Sequence, residues 1–169
     1  MNIPMNRFLI FSIFAICCMM VFTTGSVGSE PYKALKGVGS IKAVFDIRVK
    51  TPKALAIHLD LVNDTFEDPS VIAIQGKNDF VVIFMGPAVK FISKQTKSFS
   101  AEDKIHLDAI AAMVPALVEN GIKLQVCMFA AGSYGVQANS ILPGIEQVKN
   151  GWISSIGYQR QGYAVVSDF

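Results

Sequence analysis

From residue 41 onward the apolar positions switch repeatedly between the two-residue alternation of a strand and the three-to-four-residue recurrence of a helix. Ile41 to Val49 is rich in β-branched residues and alternates at its end, as a first strand does. Thr51 then offers an N-cap and Pro52 a first helical position, and Ala54, Leu55, Ile57, Leu59, Leu61 and Val62 carry a helical stripe toward Asp64. Phe80 to Met85 is a continuous apolar run, the mark of a strand covered on both faces, and Gly86-Pro87 stops it. Ser100 caps a second helix with Glu102 and Asp103 in its first turn, where the helix dipole favours acid. Ile105, Ala109, Ala112, Met113, Ala116 and Leu117 line one face of it, Pro115 is a candidate kink, and Asn120-Gly121 ends it. Ile122 to Met128 is a third strand. A short strand at 145–148, a helix from about Asn150 to Arg160 and a last strand at 163–166 complete the order.

Strands that alternate with helices, and are buried themselves, specify a parallel sheet with helices on its faces, because right-handed crossovers carry each helix over the sheet. The chain thus reads as one α/β domain over residues 41–169, with a parallel sheet of about five strands flanked by helices. Residues 30–40 carry Pro31, Gly37 and Gly39 without a sustained period and form an N-terminal leader into it.

The first 29 residues change the picture of where the chain resides. They contain one charged residue, Arg7, then an apolar stretch from Phe8 to Phe22, then small residues to Ser29. The stretch is shorter than the roughly 20 residues that cross a bilayer as a helix, and charged, apolar and small in that order is what signal peptidase reads. Residues 1–29 are therefore expected to be a signal peptide cleaved near Ser29/Glu30, and the protein to be exported, to the periplasm in a cell that has one. The competing reading is an uncleaved anchor, the one route by which this chain would meet a membrane. This block also accounts for much of a composition that is 51% hydrophobic and only 17% charged, with a mean hydropathy of +0.43. A net charge of +2 without a run of like charges excludes a nucleic-acid footprint.

Of the chemistry a parallel α/β sheet commonly carries, most is unsupported. Gly37-Val38-Gly39 and Gly132-Ser133-Tyr134-Gly135 lack the third glycine of a dinucleotide loop and the Lys-Ser/Thr of a phosphate loop, so no cofactor is expected. His58 and His106 fall on separate helices with no ligand at metal spacing, so no metal site is expected. The pairs Glu67/Asp68 and Glu102/Asp103 sit at helix ends, where the dipole and solvent explain them. Cys127 differs. It is the one cysteine left after loss of the leading segment, and it ends a predicted parallel strand, where open α/β sheets place their binding crevice. Backbone N–H groups of a helical turn beginning at Phe129-Ala130-Ala131-Gly132 would stabilise its thiolate, which persulfide transfer or thiol exchange requires. The alternative is a buried, inert cysteine that packs as a small hydrophobe. A cysteine hydrolase would need His58 or His106 as base.

Gly121 to Cys127, then Ile141-Leu142-Pro143-Gly144-Ile145-Glu146, then Gly162-Tyr163-Ala164, together with Gly86-Pro87-Ala88-Val89, resemble the DsrE/DsrF-like proteins across most of residues 41–166. The resemblance implies a flavodoxin-like fold, assembly into homo-oligomers, and, from the sulfur-relay TusD-like members, sulfane sulfur carried as a persulfide on the cysteine matching Cys127. Where related sequences often carry His before the Gly-Pro pair, this chain has Met85. The leading expectation is an exported DsrE-like protein that binds or transfers sulfane sulfur through Cys127, with Met85, Gly86, Pro87, Phe129 and Ala130 lining the crevice and a sulfur donor or acceptor protein as partner. The alternative is a non-catalytic oligomeric module that binds a small ligand, with Cys127 structural.

Overall fold

In the computed structural model, which describes residues 32–167, the strands are β1 (Lys42–Ile47), β2 (Asp79–Phe84), β3 (Lys123–Cys127), β4 (Glu146–Val148) and β5 (Ala164–Ser167). The expectation of a signal peptide over residues 1–29 lies outside the described residues. All neighbouring strands run parallel, in the order β4-β3-β2-β1-β5. The chain steps outward from β1 to β4 and then returns across the sheet to place β5 on the far side of β1.

The helices form where the local signals place them. Thr51 Oγ1 accepts the Ala54 N–H at 3.2 Å and Pro52 opens α1 (Pro52–Glu67). That helix runs one turn past Asp64 and stops because Pro69 forces the residue before it out of helical geometry. Asp68, extended, instead caps a four-residue helix that the pattern did not reveal, α2 (Pro69–Ile72), through the Ser70 N–H at 2.7 Å. Ser100 caps α3 (Ala101–Glu119) by accepting the Asp103 N–H at 3.0 Å, and the helix continues through Pro115 to its last turn. Two short helices complete the set, α4 (Met128–Ser133) directly after β3, and α5 (Gly151–Arg160) after β4.

Strand pleating splits the core into two unequal halves. Phe80, Val82 and Phe84 project toward α1 and α3 and pack with Leu55, Leu59, Ile110 and Leu117. Val81, Ile83 and Met85 project to the opposite face, where Val44, Cys127 and Tyr163 form a smaller cluster beneath α5. Every residue from Phe80 to Met85 is buried, as a strand covered on both faces requires. The helices following β1 and β2 cover one face because successive right-handed crossovers in one direction stay on one side; the return to β5 puts α5 on the other. Cys127 lies on the thinly covered face.

A candidate site at the carboxyl ends of the strands

Register decides which side chains meet Cys127. Ile47 pairs with Phe84 and Phe84 with Val126, so the next row across the sheet is Arg48, Met85 and Cys127, all pointing to the face that α5 covers. Two strand spacings separate Arg48 from the cysteine, roughly 10 Å between backbones. The arginine side chain is long enough to cover the residue between them, and its Nη2 lies 3.7 Å from Met85 Sδ. Asp46, two residues earlier on the same face, holds the guanidinium from the side: Nε donates to Oδ1 at 2.9 Å and Nη2 to Oδ2 at 2.8 Å. Fork-on-fork pairing of this kind fixes orientation as well as charge. The hydrogen bond to Asp46 raises the Arg48 pKa above its ordinary value against the opposing effect of burial, and a negative Cys127 adds to the rise.

The amino end of α5 closes over Met85 and Cys127. Asn150 caps the helix by accepting the Trp152 N–H at 3.0 Å, and Gly151 packs directly on the row below. A side chain at Gly151 would place its Cβ 2.7 Å from Met85 Sδ and 3.0 Å from Cys127 Cβ. Only glycine permits that approach, which brings the positive end of the helix dipole onto Met85 and the Cβ of Cys127. Gly151→Ala is therefore expected to lower stability by about 1–3 kcal/mol, because Met85 can swing away but the Cys127 Cβ cannot. A urea midpoint unchanged from the parent chain would show that α5 is free to lift.

A cavity of about 310 Å³ opens at this point, lined by Arg48, Met85, Gly86, Cys127, Phe129, Ala130, Ser133, Tyr134, Asn150 and Trp152. Among the described residues its walls are mostly apolar or aromatic, with one cation and no carboxylate. The Arg48 guanidinium lies 6.0 Å from the centre of the Trp152 ring. Four of the five expected lining residues, Met85, Gly86, Phe129 and Ala130, are brought together with Cys127. Pro87 is not among the lining residues: Gly86 adopts φ +53° and the chain turns into a 3-10 helix (Gly86–Lys90) that carries Pro87 out of the crevice. Arg48, Ser133, Tyr134, Asn150 and Trp152 join the site without having been expected there. The visible hint was Asp46-Ile47-Arg48 itself, two opposite charges placed on one face at the carboxyl end of a strand.

His58 and His106 ride on α1 and α3, the layer on the other side of the sheet, and neither lines the Cys127 cavity. The hydrolase reading therefore has no histidine base. Among the described residues no three His, Cys, Asp or Glu side chains are grouped to hold a metal ion. A second polar cluster lies at the amino ends of the strands, where Lys123 Nζ donates to both Asp79 carboxylate oxygens at 2.9 and 2.7 Å. Burial pushes the Asp79 carboxyl up, but hydrogen bonds from Lys123 and Tyr163 outweigh it and hold the group below its ordinary value.

The architecture recurs in solved proteins. A protein of unknown function from Methanobacterium thermoautotrophicum, MTH1491, superposes with a TM-score of 0.59 over 76% of this chain and 99% of its own, at 15% identity. The ychN protein of E. coli does so with a TM-score of 0.55, also at 15% identity and over 76% of this chain and 99% of its own. These likenesses speak for the fold alone. An uncharacterized protein of Aquifex aeolicus (strain VF5) is 26% identical over 128 residues, 75% of this chain, and this chain spans only 55% of that relative's length. The DsrE/DsrF-like family matches residues 42–167, from the first residue of β1 to the last of β5. That match, which spans the whole parallel five-stranded sheet, makes the chain a member of the DsrE/DsrF-like family.

Proposed function

We propose that this chain is an exported sulfane-sulfur protein that binds or transfers sulfur as a persulfide on Cys127. Family membership points to a role related to sulfur relay. The observation that carries the finer reading is the position of Cys127: it ends β3 inside a cavity, beneath the amino end of a ten-residue helix, and the cavity is also lined by a guanidinium that Asp46 holds in place. Both features would complement the charge of a persulfide anion formed there. Mild polysulfide treatment followed by intact mass and peptide mapping tests it; one or more sulfur atoms of about 32 Da each should appear on the Cys127 peptide. A thiol left unmodified under those conditions would remove the carrier role.

One observation favours a second reading. Cys127 is only 4% exposed, as a packed structural cysteine would be, and a module that merely holds a small ligand in the same cavity needs no reactive sulfur. The two readings share the surface around the cavity, where Phe129 is 75% exposed, Trp152 61%, and Ile153 and Ile156 are also exposed. Apolar side chains concentrated on α4 and α5 suit self-association, and we take the working form to be a homo-oligomer. The mature chain is expected to begin within a few residues of Glu30 and to sediment or scatter as a multimer. N-terminal sequencing that returns Met1 on a membrane-bound product would reverse the export reading, and a clean monomer mass at micromolar concentration the oligomeric one.

A further inference from the structure

Among the described residues Arg48 is the only cation lining the Cys127 cavity, and its donors are unevenly used. Nε and Nη2 are engaged by Asp46, and Nη2 also touches Met85 Sδ, whereas Nη1 donates to nothing among the described residues. An arginine that is locked in place on one side and has unspent N–H groups on the other is built to receive an anion. The remaining walls restrict which anion. Met85, Phe129, Ala130, Tyr134 and Trp152 offer apolar and aromatic surface around about 310 Å³, far more room than a small inorganic ion fills. The ligand that satisfies both has an apolar body, an oxyanion for Arg48 and an electrophilic sulfur for Cys127.

We infer that Arg48 is a positioning residue for an anionic sulfane-sulfur donor, and that the donor is an organic thiosulfonate, an apolar group R joined to –SO2–S⁻. The inference rests on Cys127 being the sulfur-accepting residue proposed above. The Cys127 thiolate attacks the terminal sulfur, and a new S–S bond forms to Sγ. The bond from that sulfur to the sulfonyl sulfur breaks, and its electron pair leaves on the sulfinate, RSO2⁻. Cys127 is left as a persulfide anion. Charge is conserved, no proton is required, and no separate oxidant or reductant takes part. As the pair moves onto the departing group, negative charge gathers on the sulfinate oxygens that Arg48 holds, so the guanidinium assists the step as well as binding. Inorganic thiosulfate presents the same reacting group with O⁻ in place of R and would leave as sulfite; the aromatic walls favour the organic form.

Two alkylating reagents separate the anion site from sulfur chemistry, because iodoacetate and iodoacetamide attack the same thiol and differ in charge. In the folded parent chain, Cys127 should react with iodoacetate at a rate that Arg48→Gln lowers by about tenfold or more relative to iodoacetamide, and that Arg48→Lys restores in part. Sodium benzenethiosulfonate should load sulfur on Cys127 faster than thiosulfate does, and Arg48→Gln should raise the concentration needed for half-maximal loading. Benzenesulfinate, the leaving group itself, should protect the parent Cys127 from iodoacetamide where benzyl alcohol does not, a comparison that needs no variant to fold. Labelling by both reagents with an unchanged ratio in Arg48→Gln and no protection by benzenesulfinate overturns the role of Arg48 while leaving the sulfur carrier standing. Thiosulfate loading as fast as benzenethiosulfonate overturns the apolar donor. Failure of the folded chain to react with either alkylating reagent overturns the carrier reading, and this inference with it.

Discussion

Cys127→Ser is expected to abolish sulfane-sulfur loading completely while shifting stability by less than about 1 kcal/mol. The loss of function follows from chemistry: a hydroxyl at that position has no accessible anion at neutral pH and forms no stable bond to sulfane sulfur. The small effect on stability follows from place. Cys127 lines a cavity that Asn150 and Arg48 also line and that is large enough to hold water, so a serine hydroxyl of nearly the same volume is not sealed in an apolar core. A cysteine that served only as packing would behave oppositely, because a hydroxyl buried without a partner costs about 1–3 kcal/mol. Polysulfide loading read by mass and the urea midpoint of the same variant check the two halves separately. A serine variant that loses several tenths of a molar in midpoint, from a parent thiol that never took up sulfur, would favour the structural cysteine.

Phe80→Ala is expected to cost about 3–5 kcal/mol, a large share of the 5–15 kcal/mol by which domains of this size are stable. Phe80 is 1% exposed in the middle of the larger core. Its ring sits 5.3 Å from that of Phe45 and 5.2 Å from that of Phe66, in tilted and edge-on geometry, so truncation removes transfer energy, two ring contacts and the support of α1 together. Phe80 faces away from Cys127 across the sheet. The fraction of the variant that remains folded should therefore load sulfur as the parent does. Urea unfolding followed by circular dichroism measures the first effect, and mass analysis of the folded fraction measures the second.

The strand-and-helix order was readable because its signals are local. The unbroken run Phe80 to Met85, the Thr51-Pro52 cap and the Ser100 cap each act within a few residues of themselves, and all three are present as read. The helix Pro69–Ile72 was hidden because four residues are too few to show a period, although Asp68-Pro69 is itself a capping signal. The cavity beside Cys127 was legible because the end of a parallel strand is a fixed address in this architecture. Arg48 was not, because its meeting with Met85 and Cys127 depends on the register of three strands far apart in sequence. Met85 before Gly86, where related sequences often carry His, suggested a thiol without a basic neighbour; Arg48, two strands away and held by Asp46, lines the same cavity instead. Pro87 was misplaced for a local reason of the opposite kind, since the left-handed turn at Gly86 diverts the chain one residue sooner than the sequence pattern suggests.

Whether Cys127 carries sulfur in the living cell is tested most directly by the mass of the protein taken from its own compartment without reductant. The account predicts a population heavier by about 32 Da, one sulfur atom, that maps to the Cys127 peptide and disappears on treatment with dithiothreitol. A single unmodified species, whose Cys127 resists iodoacetamide until denaturant is added, would contradict it.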